Sequence, residues 1–217
     1  MQLVFEQIRA GGDRNVGYLL GDRNAGEAVL IDPSYSPEAF VERAREQGLT
    51  VTHIINTHGH EDHINGNATA VALTGAVVAA HPACPSRPGV LLADGGELKV
   101  ASLHLQFMHV PGHAADHITV FDATHRILIT GDLIFVGKIG GTRSDEDART
   151  EWASLQRVLA TFPDDATLWP GHDYGARPSS TIALERETNP FLACTDVEAF
   201  LQMKRDWPVY KKRLGLK

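Results

Sequence analysis

Cysteine is scarce in this chain. Its two cysteines among 217 residues, Cys84 and Cys194, lie far apart and form no C-x-x-C pair, which excludes a disulfide framework and makes a reducing cytoplasm the expected location. Positive charge is also short: 20 Lys and Arg against 27 Asp and Glu leave a formal net charge of −7. That balance, with no basic patch interleaved with aromatics, argues against nucleic acid or an anionic membrane as the main partner. Long apolar runs are missing. The longest mild one, Ala68 to Ala80, is interrupted by threonine and glycine and is too short to span a bilayer. The opening MQLVFEQIRAGGDRN has acid and polar groups where a secretory signal needs an apolar stretch. No Gly-x-Ser-x-Gly elbow offers a side-chain nucleophile. With 43% hydrophobic and 22% charged residues, the composition is that of an ordinary globular protein. Its length suits a single α/β domain, and no repeat or low-complexity linker divides it.

The elements follow from period and punctuation. Leu3 to Ile8, Val16 to Leu20 and Ala28 to Ile31 read as strands separated by Gly-rich turns, and Asp32-Pro33-Ser34 breaks the third. A helix is expected from Pro37 to Gln47, with Pro at a first-turn position and Gly48 as the stop. Val51 to Asn56 returns to strand, a helix is expected near Asn65 to Leu73, and Ala76 to Ala80 is strand again. Pro82 to Gly96 is loop. Strands then follow at Leu98 to Val100, Leu103 to Val110, Ile118 to Phe121 and Ile127 to Thr130. Ser144 with Asp147 predicts a capped helix to about Phe162, with Trp152, Leu155 and Leu159 as its buried stripe. Thr167 to Trp169 is a strand. Helices are expected over Ser180 to Thr188, and from a capping box of Thr195 with Glu198 to about Arg205.

Histidine is abundant, eleven in all, and its distribution is uneven. His58-Gly59-His60-Glu61-Asp62-His63 follows directly on the apolar run Val51 to Ile55, which crowds metal-binding groups into the loop after a buried strand. Neutral imidazoles and carboxylates are the ligands of Zn²⁺, Fe²⁺ and Mn²⁺. Three further strand ends match the pattern: Val110-Pro111-Gly112-His113, Thr130-Gly131-Asp132 and Trp169-Pro170-Gly171-His172. His117, close behind His113, suits a supporting place behind a ligand. His53, His81, His104, His109 and His125 have no ligand spacing.

The set His58-x-His60-x-Asp62-His63, His113, Asp132 and His172 resembles the five-motif metal site of the metallo-β-lactamase fold, over most of the chain up to Gly175. The resemblance implies a four-layer αββα sandwich, two mixed β-sheets flanked by helices. It implies one domain over residues 1–217 with a short helical extension over about 176–217. It further implies that His58, His60 and His113 hold one divalent metal, that Asp62, His63 and His172 hold a second, and that Asp132 bridges them. Asp62 and Asp132 would be the catalytic carboxylates. A hydroxide between two ions, zinc in the first instance, would attack a carbonyl.

Within that superfamily the chain is similar to the glyoxalase II group and its persulfide dioxygenase relatives. Asp132 stands where β-lactamases carry a cysteine. His172-Asp173-Tyr174 matches a stretch whose tyrosine helps hold glutathione, and Ser180-Thr181-Ile182, Glu185 and Asn189-Pro190-Phe191-Leu192 match the helix that follows. Two departures stand out. About forty-five residues follow His172, fewer than glyoxalase II uses to supply its basic residues, so Lys211, Lys212 and Arg213 are the candidates to replace them. The Gly-Cys-Gly-Arg-like turn after the bridging Asp is replaced by Gly137-Lys138-Ile139-Gly140-Gly141-Thr142-Arg143. Tyr174, Lys138 and Arg143 are therefore the candidate substrate-binding residues. The implied activity is hydrolysis of a thioester or related acyl substrate, a glutathione conjugate among them. The alternatives are a mononuclear Fe²⁺ persulfide dioxygenase, using His58, His113 and Asp132 only, and a lactonase. A small molecule is the expected partner, and the pattern carries no sign of oligomeric state.

Overall fold

The computed structural model describes residues 2–213. Its strands are β1 Leu3–Gly11, β2 Asn15–Asp22, β3 Glu27–Ile31, β4 Thr50–Ile55, β5 Val77–Ala80, β6 Val90–Leu91, β7 Glu97–Val100, β8 Leu103–His109, β9 Ile118–Asp122, β10 Ile127–Gly131, β11 Ile134–Phe135, β12 Lys138–Ile139, β13 Thr167–Pro170 and β14 Ser180–Thr181. Its helices are α1 Pro37–Glu46, α2 Glu61–Ile64, α3 Asn67–Thr74, α4 Asp145–Thr161, α5 Ile182–Thr188 and α6 Val197–Arg213. No described helix is long and apolar enough to cross a membrane.

Two six-stranded sheets carry the fold, in the orders β1-β2-β3-β4-β5-β6 and β14-β13-β10-β9-β8-β7, with β11 and β12 as a separate hairpin. Both are mixed. In the first, β3 to β6 run parallel after an antiparallel β1-β2-β3 meander. In the second, β7 to β10 are antiparallel and β13 is parallel to β10.

The two-residue period of each strand sorts its side chains between layers. Tyr18, Leu20, Val29, Ile31 and Ile55 face the second sheet and pack with Phe107, Ile118, Val120, Ile127 and Ile129. Their neighbours Leu19, Leu30 and Ile54 face the other way, in one cluster with Phe40, Val41 and Ala44 of α1 and Ala70 of α3. On the far side of the second sheet, Phe121, Leu128 and Leu168 join Leu155, Val158 and Leu159 of α4 with Phe200 and Leu201 of α6. Three apolar interfaces make four layers, α-β-β-α, as the resemblance implied.

The departures from expectation are local. The run after β4 is a single helical turn, α2, before the longer α3, so Asp62 and His63 sit on a helix and not in a loop. The β11–β12 hairpin has strands of two residues each, too short to show a period. Ser144 caps α4 as expected, accepting from Asp147 N at 3.1 Å. Its stripe is broader than three residues, since Ala148, Glu151 and Val158 are buried with Leu155 and Leu159 while Trp152 is half exposed. At α6 the cap is Asp196, whose Oδ1 accepts from Ala199 N at 2.9 Å, and not Thr195. That helix also continues through Pro208 beyond Arg205.

Candidate metal centre

The sheets meet at one end. Ile118 N donates to Thr57 O at 2.8 Å, Val16 N donates to Gly171 O at 2.9 Å, and Asn15 bridges to His172. The segments after β4, β8, β10 and β13 all emerge there, because parallel strands deliver their C-terminal ends to the same edge. This topology gathers residues more than a hundred positions apart in the chain.

Two triads result. Nε2 of His58 and Nε2 of His113 each lie 3.0 Å from Nδ1 of His60. Opposite them, Asp62, His63 and His172 offer ligand atoms all within 4.8 Å of one another. Asp132 stands between. Its Oδ2 is 3.6 Å from His113 Nε2 and 3.3 Å from His172 Nε2, and its Oδ1 is 3.4 Å from His63 Nε2. One carboxylate thus faces both triads, which is what a two-oxygen bridging ligand requires.

Four of the five imidazoles are held by their other nitrogen. His113 Nδ1 donates to Gly141 O at 2.7 Å, His172 Nδ1 to Asp13 O at 2.9 Å, and His63 Nδ1 to Asp32 Oδ2 at 3.0 Å. His58 Nδ1 lies 3.1 Å from Thr57 Oγ1, whose own proton goes to Asp32 Oδ2 at 2.6 Å. Such bonds set the tautomer and leave Nε2 bare toward the pocket. Asp62 is steadied by Asn15 Nδ2, which donates to its Oδ2 at 2.9 Å.

Whether a cation suits the pocket can be read from its unpartnered atoms. His63 Nε2 and Asp132 Oδ1 are buried with no hydrogen-bond partner among the described residues. Unpaired buried polar groups are costly, and a cation between them would satisfy both. The charge pattern agrees. Burial pushes the Asp132 carboxyl up, yet His63 and His172 beside it hold it well below the usual carboxylate range. Burial likewise opposes a charge on His63, but Asp132 and Asp32 hold its pKa well above the ordinary value. His58 and His113 are shifted down, first by burial, and present neutral nitrogens. Neutral imidazoles at His58 and His113 beside an ionised Asp132 fit Zn²⁺ or Fe²⁺, and a cation there would take the place of the proton that Asp132 and Asp32 favour on His63.

Asp32 also lies near His58 and His63 and forms a third possible triad with them. Its oxygens are already committed, however, to Thr57 N at 2.9 Å, Thr57 Oγ1 and His63 Nδ1. It holds ligands in place. Sequence reading took Asp32-Pro33 as a strand break; a carboxylate at a strand end, as at Asp132, was the signal available. His117 is fully buried, stacks on His58 at 4.8 Å, and accepts from Asp132 N at 3.0 Å. It supports Asp132 from behind.

Of the candidate substrate residues, Tyr174 and Lys138 come together and Arg143 does not. The Tyr174 ring lies parallel to His172 at 4.8 Å, and its hydroxyl donates to Asp13 Oδ2 at 2.7 Å. Lys138 Nζ sits 3.4 Å from the centre of that ring. A cavity of ≈ 440 Å³ beside them is lined by Arg14, Arg177, Trp207 and Lys211. Arg143 lies in a second cavity of ≈ 400 Å³ on the other side of Lys138. Sequence reading missed Arg14 and Arg177, which stand outside any motif.

The turn that carries His113 depends on Gly112. Its φ is +138°, and a Cβ there would lie 2.4 Å from Glu151 Cα. Gly112→Ala is expected to cost about 3 kcal/mol through strain and overpacking, read as a lower denaturant midpoint at unchanged slope.

A family model described as the metallo-beta-lactamase superfamily matches residues 10–83 and 85–172. The hydroxyacylglutathione hydrolase of Polaromonas sp. (strain JS666) is 34% identical over 178 residues, which is 79% of this chain and 67% of that protein. The human mitochondrial persulfide dioxygenase ETHE1 is 31% identical over 185 residues, 81% of this chain and 70% of that protein. The crystal structure of ETHE1 from Myxococcus xanthus superposes with a TM-score of 0.87 at 32% identity, covering 94% of this chain and 91% of that one.

Proposed function

The chain belongs to the metallo-β-lactamase superfamily, in the branch of the hydroxyacylglutathione hydrolases and ETHE1 persulfide dioxygenases, and from that premise we propose that it is a two-metal hydrolase of thioesters or related acyl substrates. The observation that carries this reading is the second triad. Asp62, His63 and His172 are each oriented by a dedicated partner (Asn15, Asp32 and Asp13 O), as His58 and His113 are by Thr57 and Gly141 O. A site with one metal has no need of that.

Under this reading His58, His60 and His113 would hold one zinc ion and Asp62, His63 and His172 the other, with Asp132 placed to serve both. Bound there, the two ions would lower the pKa of water toward about 7 and polarise an acyl carbonyl. The protein's part is to keep imidazole protons on the outer nitrogens, to supply the two catalytic carboxylates Asp62 and Asp132, and to seat the substrate. Lys138, Arg177 and Lys211 pair with no carboxylate among the described residues, and all three line one cavity with Tyr174. Burial, then Lys211 and Arg14, lower the pKa of Lys138 to about 8. Crowded cations of this kind suit an anionic thiol carrier such as glutathione, as in S-D-lactoylglutathione. Lys138→Glu is expected to raise KM for a glutathione thioester about tenfold, the equivalent of about 1.4 kcal/mol of charge-assisted binding. It should leave kcat and the KM of an uncharged thioester nearly unchanged. Equal effects on both substrates would remove Lys138 from carrier binding.

Metal analysis with a thioester panel tests the main proposal. Two zinc ions per chain and hydrolysis are expected, and metal-loaded protein inert toward every thioester would overturn it. A second reading, one Fe²⁺ held by His58, His113 and Asp132 in a persulfide dioxygenase, is favoured by the close superposition on the ETHE1 structure from Myxococcus xanthus over nearly its full length. Oxygen uptake with glutathione persulfide and one iron per chain would select it.

A further inference from the structure

Glu151 is an unusual residue for its position. It lies on the face of α4 that buries Ala148, Leu155 and Val158, and its side chain is fully shielded from water. Burial pushes its carboxyl up to about 7, against the opposing pull of Lys204. Lys204 comes from α6, and its Nζ donates to Glu151 Oε2. Replacing a buried ion pair by apolar side chains is often neutral or stabilising, so core stability does not account for this one.

The neighbours of the pair suggest what it does. Lys204 Nζ also donates to Gly140 O at 3.1 Å. The next carbonyl, Gly141 O, accepts the Nδ1 proton of His113 at 2.7 Å. Gly140 itself is pressed against that imidazole, because a Cβ on it would stand 2.8 Å from His113 Nδ1 and 2.1 Å from Asp132 O. On the opposite side, the backbone of Glu151 abuts Gly112, and Ser154 Oγ, on the same helix, donates to Pro111 O at 2.7 Å. The chain entering His113 therefore rests on α4, and the turn covering its Nδ1 is tied to α6. The ion pair joins these two supports.

We propose that Glu151 and Lys204 form a positioning pair for His113, through which α6 sets the tautomer and direction of one metal-facing imidazole. The proposal rests on His113 being a metal ligand, as in the reading above, but it is tested without turnover. The variants are K204M, the double variant E151M/K204M and the conservative K204R. The readouts are Co²⁺ affinity by competition with a chelator, the visible spectrum of the Co²⁺ protein, and the Nδ1–H resonance of His113 in metal-free protein.

K204M and E151M/K204M are expected to bind the more weakly affected Co²⁺ ion as wild type does and the other about tenfold to a hundredfold more weakly, the usual effect of losing support behind a ligand. The His113 Nδ1–H resonance should broaden or vanish in both, and K204R should restore both signals. The double variant removes both charges together, so it is expected to melt near wild type even if K204M alone does not fold. Wild-type Co²⁺ affinity and spectrum in a folded double variant would overturn the proposal. So would failure of the double variant to fold, because the pair would then be a requirement of the core. If the metal readouts change as expected while no thioester is hydrolysed, the positioning role stands and only the hydrolase reading falls.

Discussion

Asp132→Ala is expected to lower hydrolysis on the order of 10³-fold, the rate equivalent of about 4 kcal/mol of transition-state stabilisation, and to reduce bound metal from two ions per chain to one or fewer. The expectation follows from position. Asp132 alone faces both triads, with Oδ2 3.6 Å from His113 Nε2 and 3.3 Å from His172 Nε2. Without it, Asp62 is the one carboxylate left within the two triads to offset two dications among five imidazoles. Asp132→Asn keeps the shape and removes the charge, so it should fall nearly as far. The metal-free Asp132→Ala protein should stay folded but lose some stability, because His63 and His172 favour the ionised carboxylate that the change removes. Metal analysis and thioester kinetics on one preparation check the prediction. A variant that keeps two zinc ions and most of its activity would remove Asp132 from the bridging position.

Asp32→Ala should produce the largest loss of stability, about 4 kcal/mol, in a residue that is proposed to touch neither metal nor substrate. Its carboxylate is buried and accepts from Thr57 N, Thr57 Oγ1 and His63 Nδ1 at 2.9, 2.6 and 3.0 Å. Alanine strands three donors, and each buried unsatisfied group costs about 1–3 kcal/mol. The backbone adds strain, since Asp32 has φ +46°, where Asp and Asn are better tolerated than Ala. Thr57 also orients His58, so both triads lose a support, and metal affinity should fall about tenfold to a hundredfold. Denaturant unfolding of metal-free protein measures the first effect and chelator competition the second. A stability change under about 1 kcal/mol would show that water replaces the carboxylate without penalty.

The strands and the candidate ligands were legible in the sequence for one reason: both are written in local patterns. Two-residue alternation along Leu103 to Val110 and the apolar run before His58 mark strands wherever they lie, and the crowding of His58 to His63 marks a metal loop. Residues whose role depends on a distant partner were not legible. Asp32 read as a strand break because its three donors come from residues 57 and 63. Lys138 and Lys211 were legible one at a time, but the cavity they share with Arg14 and Arg177 was not, because the four are spread over nearly two hundred positions. Glu151 and Lys204 were unremarkable letters on two helices.

The sequence by itself therefore determined the strand pattern and the donor types, since a histidine or aspartate at a strand end carries its chemistry with it, and through the resemblance of those motifs it implied the family and the four-layer fold. Only the tertiary structure decided which nitrogen each imidazole presents, that one carboxylate lies between two triads, and which buried groups hold them there. Those are matters of ångströms between segments far apart in the chain, and they are set by how two sheets pack face to face and meet at one end, which no local pattern encodes.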